Sequence, residues 1–250
     1  AIRHAITKMS LLHFVSTEPY RKRVVQMGEN PDRVFLVGAL GLDHVLRTPR
    51  MSLMELAESI DFPLRPPYFV VTHHPVTLQN KEAVNDIKIL LSALDAFPDH
   101  QVLLTYPNAD NGGRSIIECI TGYADRQPQR VYCTPSLGFR RYLSAVAQAA
   151  AVIGNSSSGI IEAPSFGVPT VNIGARQQGR LAADSVLHCE PDQTAIESCI
   201  RGALSTQHRS VCASRSNPYG QGDAARRIVE TLRTAPLARQ KHFFDLHHEY

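Results

Sequence analysis

Residues 154–162 read Gly-Asn-Ser-Ser-Ser-Gly-Ile-Ile-Glu. A short apolar run, 151–153, ends in Gly154-Asn155, and three serines then open an amphipathic stretch. The first backbone N–H groups of a helix have no partner inside it, and serine hydroxyls beside them add further donors. The pattern therefore suits a phosphate or diphosphate. Glu162 follows Ser158 by one helical turn, which puts both on one face. A carboxylate there is placed to accept hydrogen bonds from ribose hydroxyls. Arg176 and Arg180 follow the next apolar run, 170–173, and can supply cationic partners to a diphosphate. A plain serine N-cap accounts for the serines without any ligand, but not for the register of Glu162 and Arg176 with them.

Other polar groups follow other apolar runs. His73-His74-Pro75 closes the run 68–72. A histidine held there by a following proline can hydrogen-bond a phosphate or a sugar hydroxyl, or be a satisfied strand-end histidine. Asn108 and Asp110 follow Pro107, where turn chemistry explains them as well as ligand contact does. Ser136 follows the run 130–133. No His, Cys or carboxylate stands at metal-ligand spacing around His74, and His247-His248 lies in the tail, so no metal is expected. G-x-G-x-x-G, the Walker A loop and the G-x-S-x-G elbow are all missing from the sequence, so NAD, ATP and serine-hydrolase chemistry lose their usual support and no cofactor is expected.

The elements that must position these residues alternate. Strands are predicted over 12–16, 33–37, 68–72, 101–106, 130–133, 151–153, 170–173 and 185–189. Helices are predicted over 2–10, 19–27, 53–59, 81–97, 113–124, 139–149, 157–165, 194–204 and 224–234. Alternation at this spacing means βαβ crossovers, hence an α/β fold with Rossmann-like parallel sheets. In such a sheet ligands bind beyond the carboxyl ends of the strands, where five polar or glycine-rich segments converge. Arg-Thr-Pro-Arg at 47–50 and Arg65-Pro66-Pro67 break the pattern. They assign residues 1–48 to the end of an amino-terminal Rossmann-like domain, 49–65 to a linker, 66–235 to a complete second Rossmann-like domain and 236–250 to a tail returning toward the first.

A chain of 250 residues, 43% of them hydrophobic, is long enough for one large domain and part of another. A net charge of +3 with scattered lysines and arginines does not indicate a nucleic-acid partner. No apolar run reaches the roughly 18 residues that span a bilayer. Five cysteines without a C-x-x-C pair fit reduced thiols, and a cytoplasmic location is expected. The chain opens Ala-Ile-Arg-His-Ala-Ile-Thr-Lys-Met, without an initiator methionine or an apolar leader, and reads as starting within a helix.

Taken in order, these segments resemble the UDP-N-acetylglucosamine 2-epimerase family, and its hydrolysing branch in particular, which feeds sialic-acid-type synthesis. The resemblance rests on Ile2-Arg3-His4-Ala5-Ile6-Thr7-Lys8-Met9-Ser10, His74-Pro75-Val76-Thr77, Pro107-Asn108-Ala109-Asp110, the block 154–164, the block 169–180 and Tyr219-Gly220-Gln221-Gly222-Asp223-Ala224. It covers nearly the whole chain. It implies a glycosyltransferase-B-like two-domain architecture, with the first domain incomplete in this chain. By motif it implies that Ser156 and Ser157 contact a diphosphate, Glu162 the ribose and Arg176 the phosphates. Ser136 would lie near the base, His74 would face the diphosphate and sugar, and Asn108 would line the same cleft. The implied reaction is elimination of UDP across C1 and C2 of UDP-N-acetylglucosamine, then hydration to N-acetylmannosamine. His74 is the one catalytic candidate here, since the family's main carboxylates lie upstream of Ala1. The chain alone is therefore expected to be inactive, and the full-length protein to be a homo-oligomer, dimer or tetramer. Alternatives are a hydrolysing epimerase acting on a UDP-2,4-diacetamido-trideoxyhexose, a non-catalytic UDP-binding fragment and a glycosyltransferase of the same fold. The non-hydrolysing branch is disfavoured by the first and fourth motifs.

Overall fold

A computed structural model describes residues 1–75, 80–107, 113–236 and 240–246, with only the backbone described for 80–83. In chain order the elements are α1 (Ile2–Met9), β1 (His13–Val15), α2 (Glu18–Gln26), β2 (Val34–Leu36), α3 (Gly41–Arg47), α4 (Leu53–Ile60), β3 (Tyr68–Thr72), α5 (Asn80–Leu94), β4 (Gln101–Thr105), α6 (Gly113–Arg126) and β5 (Val131–Thr134). They continue with α7 (Gly138–Gln148), β6 (Ala151–Gly154), α8 (Ser157–Ile161), α9 (Ala163–Phe166), β7 (Thr170–Ile173), β8 (Val186–Cys189), α10 (Gln193–Leu204), α11 (Thr206–Cys212) and α12 (Ala224–Thr234). The chain divides into two compact units, residues 1–47 with 218–250, and residues 48–217.

The larger unit holds a parallel six-stranded sheet in the order β5-β4-β3-β6-β7-β8. Every residue of β3, β4, β6 and β7 is buried. Continuous apolar runs such as Tyr-Phe-Val-Val are what a strand covered on both faces requires. Phe69 and Val71 face a core with Ile87 of α5, Ile116 and Ile120 of α6 and Ile196 of α10. Tyr68 and Val70 face the other core, with Leu56 and Ile60 of α4 and Ala145 and Val146 of α7. Each large apolar side chain buried this way stabilises the fold by about 1.5–3 kcal/mol before conformational entropy is counted. The chain runs outward from β3 to β5, then returns to lay β6 on the other side of β3. The reversal leaves a crevice beyond the carboxyl ends of these two central strands.

The smaller unit pairs β1 with β2 in parallel, Phe14 beside Phe35. The Glu29 carboxylate lies buried there with two ammonium groups and an imidazole as neighbours. Lys8 Nζ stands 2.8 Å away, His13 Nε2 2.8 Å and Lys241 Nζ 2.6 Å. Lys241 also donates to the carbonyls of Thr7, Lys8 and Ser10 at the end of α1.

The division differs from the sequence expectation in two places. Residues 49–65 are not a linker. Ser52 and Glu55 form a capping box at the start of α4, and Leu56, Ile60, Phe62 and Leu64 are buried in the larger unit. Helix α12, expected in the second domain, belongs to the smaller unit. The Asp43 carboxylate of α3 accepts hydrogen bonds from the N–H groups of Ala224 and Ala225, at 2.9 and 2.8 Å, and so caps α12 from a distant part of the chain. Helices α3 and α11 were not expected. Seven residues each, they are too short for periodicity to reveal. The expected helix 157–165 is two pieces. Pro164 has no N–H to continue the ladder, and Glu162 stands at the joint between α8 and α9. No described helix is long and apolar enough to cross a membrane.

Candidate functional site

The site is built where β6 ends beside β3. Gly154 adopts φ +128°, and a Cβ there would lie 2.0 Å from the Thr72 carbonyl oxygen, so only glycine fits. Asn155 follows, 1% exposed. Its Oδ1 accepts from the His74 N–H at 2.7 Å and its Nδ2 donates to the His74 carbonyl at 2.9 Å. The amide thus pairs with the backbone as a strand residue would, and only Asn offers donor and acceptor at that reach. The Asn155 carbonyl accepts from Arg176 Nη1 at 2.9 Å and from Gln177 Nε2 at 2.7 Å. One residue therefore ties together the loops that follow β3, β6 and β7.

Beyond Asn155 the chain turns into α8. Ser156 is its N-cap, with the side chain accepting from the Ser158 N–H at 3.4 Å. At five residues α8 has little macrodipole, so the N–H groups of its first turn and the serine hydroxyls are what it offers an anion. Glu162 N–H donates to the Ser158 carbonyl at 2.9 Å, which keeps the two side chains one turn apart on the same face. After β5, Gly138 takes φ +66° and its N–H donates to Ser136 Oγ at 3.0 Å, turning the chain into α7.

These segments enclose a cavity of about 400 Å³. His74, Ser136, Ser156, Ser157 and Glu162 line it, together with Thr72, Thr105, Tyr106, Phe139, Tyr142 and Ser158. Burial raises the Glu162 carboxyl above the ordinary carboxylate value, and the neighbouring Ser158 hydroxyl offsets this only in part. Burial likewise pushes the Tyr142 phenol up to about 12. Thr72 and Thr105 share a hydrogen bond of 2.6 Å on the cavity wall. Among the described lining residues Glu162 is the one carboxylate and His74 the one imidazole. Such a set can accept hydrogen bonds from a polyol and donate to an anion. No cluster of described residues could hold a metal ion.

Five of the residues singled out in sequence therefore line one cavity. Arg176 is half-buried on the adjoining loop, bonded to the Asn155 carbonyl. Arg180 is exposed and lines a different hollow of about 670 Å³ with Asn172, Gln177, His188 and Glu190, so the structure does not bring it to the other candidates. Asn108 and Asp110 lie outside the described residues. His73 does not share the cavity of His74. It is 3% exposed, and burial first, then the charges of His74 and Arg176, push it down to about 4, so it is neutral near pH 7. Sequence reasoning missed the clamp made by Asn155, which it read only as part of a phosphate loop. It also missed Tyr142, whose place one turn after Gly138 at a ligand-edge helix start was the available signal.

Comparison with known proteins places the chain among relatives. Residues 1–233 match the family described as UDP-N-acetylglucosamine 2-epimerase. The GDP/UDP-N,N'-diacetylbacillosamine 2-epimerase (hydrolyzing) of Campylobacter jejuni is 39% identical over 190 residues, which make up 76% of this chain and 50% of that protein. The polysialic acid biosynthesis protein P7 of Escherichia coli is 38% identical over 249 residues, 98% of this chain and 63% of that protein. The chain thus spans about half to two thirds of the length of these curated relatives. The crystal structure of the Neisseria meningitidis UDP-GlcNAc 2-epimerase bound to UDP-GlcNAc superposes with a TM-score of 0.76 at 17% identity, over 91% of this chain and 62% of that one. That likeness establishes the glycosyltransferase-B-like α/β fold, and the match over residues 1–233 establishes that the chain belongs to the UDP-N-acetylglucosamine 2-epimerase family.

Proposed function

We propose that this chain supplies the UDP-binding part of a hydrolysing UDP-N-acetylglucosamine 2-epimerase. Ser156 and Ser157 hold the diphosphate at the start of α8, and Arg176 balances its charge. Glu162 accepts from the ribose hydroxyls, Ser136 lies toward the base and His74 faces the diphosphate and sugar. Asn108 is assigned to the same cleft, and Arg180, expected as a second cationic partner of the diphosphate, is left out because it lines a different hollow. The observation that carries the reading is the meeting of His74, Ser136, Ser156, Ser157 and Glu162 on one cavity at the sheet reversal.

In the reaction a base takes the proton from C2 of the sugar and the C1–O bond breaks with its electron pair leaving on UDP. The 2-acetamidoglucal so formed adds water, hydroxyl at C1 and proton at C2, to give N-acetylmannosamine. Proton transfer of this kind needs a positioned group of suitable pKa, typically worth a hundred- to ten-thousandfold in rate, roughly. We assign a helper role to His74 and place the main carboxylates in the part of the family's length that this chain does not span. The chain alone is then expected to bind UDP and not to turn over. A second reading, a UDP-2,4-diacetamido-trideoxyhexose as substrate, is supported by the 39% identity to the Campylobacter relative, whose name carries a diacetamido sugar.

The test is calorimetric titration of the chain with UDP, followed by incubation with each of the two UDP-sugars and assay of UDP and free-sugar release. Saturable UDP binding without turnover is the expected result. No saturable binding would overturn the UDP site, and turnover by the chain alone would place the catalytic carboxylates within residues 1–250.

A further inference from the structure

The Tyr142 hydroxyl and the Ser158 hydroxyl are both sealed from solvent on the wall of the same cavity, and neither meets a partner in hydrogen-bond geometry. Leaving a buried hydroxyl unpaired is costly, so two side by side need an account. Glu162 shares the Ser158 face one turn on, and the Thr72–Thr105 hydroxyl pair lines the cavity beside them.

With Glu162 ionised, one direction of donation satisfies all three groups. An ionised carboxylate only accepts. Ser158 can donate one hydrogen bond and accept up to two, and the hydrogen of a hydroxyl rotates to suit its acceptor. We propose that Tyr142 is a positioning residue for Glu162: its hydroxyl donates to Ser158, and Ser158 in turn donates to the Glu162 carboxylate, holding it ionised and turned toward the ribose of the bound nucleotide. The ribose role of Glu162 is taken from the function proposed above. Burial opposes the ionised form of Glu162, and a donor chain from α7 is the local source of compensation. The Tyr142 phenol, pushed up to about 12, remains a donor at neutral pH. Among the described residues, the other titratable groups lining the cavity are His74 beyond β3 and Tyr106 beyond β4.

The test compares UDP with 2′,3′-dideoxy-UDP on the wild-type chain, Tyr142→Phe, Ser158→Ala and Ser158→Thr. Wild type should prefer UDP. Tyr142→Phe and Ser158→Ala should each weaken UDP about three- to tenfold while changing dideoxy-UDP by less than about twofold, and Ser158→Thr, which keeps the hydroxyl, should retain the wild-type preference. The UDP preference should also fade on acidification, with its midpoint moved to higher pH in Tyr142→Phe, because a Glu162 without the donor chain protonates more readily. The contribution of His74 is common to both ligands and cancels in the difference. Equal weakening of both nucleotides by Tyr142→Phe would make the ring's packing responsible and overturn the relay. An unchanged preference would overturn it as well, with the UDP site intact. Equal binding of the two nucleotides by the wild-type chain would instead remove the ribose role of Glu162, and the relay with it.

Discussion

Glu29 in the smaller unit and Glu162 in the larger are both acids withdrawn from water, and their surroundings treat them in opposite ways. The Glu29 side chain is 2% exposed and meets Lys8, His13 and Lys241. Burial alone would raise its carboxyl, but hydrogen bonds from Lys241, Lys8 and His13 outweigh burial and hold it below the ordinary value. Glu162 has a cavity on one side and the Ser158 hydroxyl on the other, and burial leaves its carboxyl raised. A carboxylate matched by ammonium groups of the fold itself serves the fold. One that stays costly to ionise until something donates to it is arranged for a ligand.

The first way to break this comparison is Glu29→Ala. The substitution leaves buried His13 and two lysine ammonium groups without their common anion, and loosens the grip of Lys241 on the end of α1. A loss of about 3 kcal/mol in unfolding free energy is expected, with UDP affinity of the folded chain unchanged. Denaturant unfolding and calorimetry check the two halves of the statement. Equal stability of the variant would mean that the network is ornamental.

Arg176 sharpens the comparison from the cation's side. Lys8 and Lys241 of the smaller unit are engaged with Glu29, whereas Arg176 is bonded to a backbone carbonyl on the loop beside the cavity. Arg176→Ala should weaken UDP by about 1.5–3 kcal/mol, roughly ten- to a hundredfold. Arg140 on α7 is exposed and its Nε donates to the Pro49 carbonyl, so Arg140→Ala should leave the affinity close to wild type. Equal affinities of the two variants in calorimetry would contradict the assignment of Arg176.

The two carboxylates also differ in how far the sequence exposes them. Strands β3, β4, β6 and β7 were legible because fully buried parallel strands are written as unbroken apolar runs. The ligand edge followed from the polar segments after them, and Glu162 from its one-turn spacing to Ser158. Glu29 was not legible. Its partners lie at positions 8, 13 and 241, and separations of that kind carry no periodic signal. For the same reason α12 was assigned to the wrong unit, since its cap is Asp43, far away in sequence. Tyr142 and the Asn155 clamp stayed hidden because each works through contacts between elements, whereas spacing reports only what one element places on one face.

The smallest expected effect is the pH dependence of stability, where the two acids should act with opposite sign. Glu29 has a folded value below the ordinary 4.5. Between those values the unfolded chain binds the more protons, so stability rises with pH there. Its contribution is complete above about 4.5 and is lost as pH falls through the folded value. Glu162 has a folded value above 4.5, so between those values the folded chain binds the more protons and stability falls as pH rises. Its contribution is complete below about 4.5 and is lost as pH climbs through the folded value. Glu29→Gln should therefore flatten the acid limb of a stability–pH profile and lower the plateau at neutral pH. Glu162→Gln should leave that plateau unchanged or slightly raised, because it replaces an acid that is costly to ionise with a neutral amide of similar shape. In the same preparation Glu162→Gln should weaken UDP by about 1–1.5 kcal/mol, since an amide is a poorer acceptor for ribose hydroxyls than a carboxylate. Thermal unfolding of both variants from about pH 2 to about pH 8, which reaches well below and above the ordinary carboxylate value of about 4.3, measures the two signs side by side. A neutral-pH stability lost in Glu162→Gln as heavily as in Glu29→Gln would show that Glu162 is held by the fold rather than kept for a ligand.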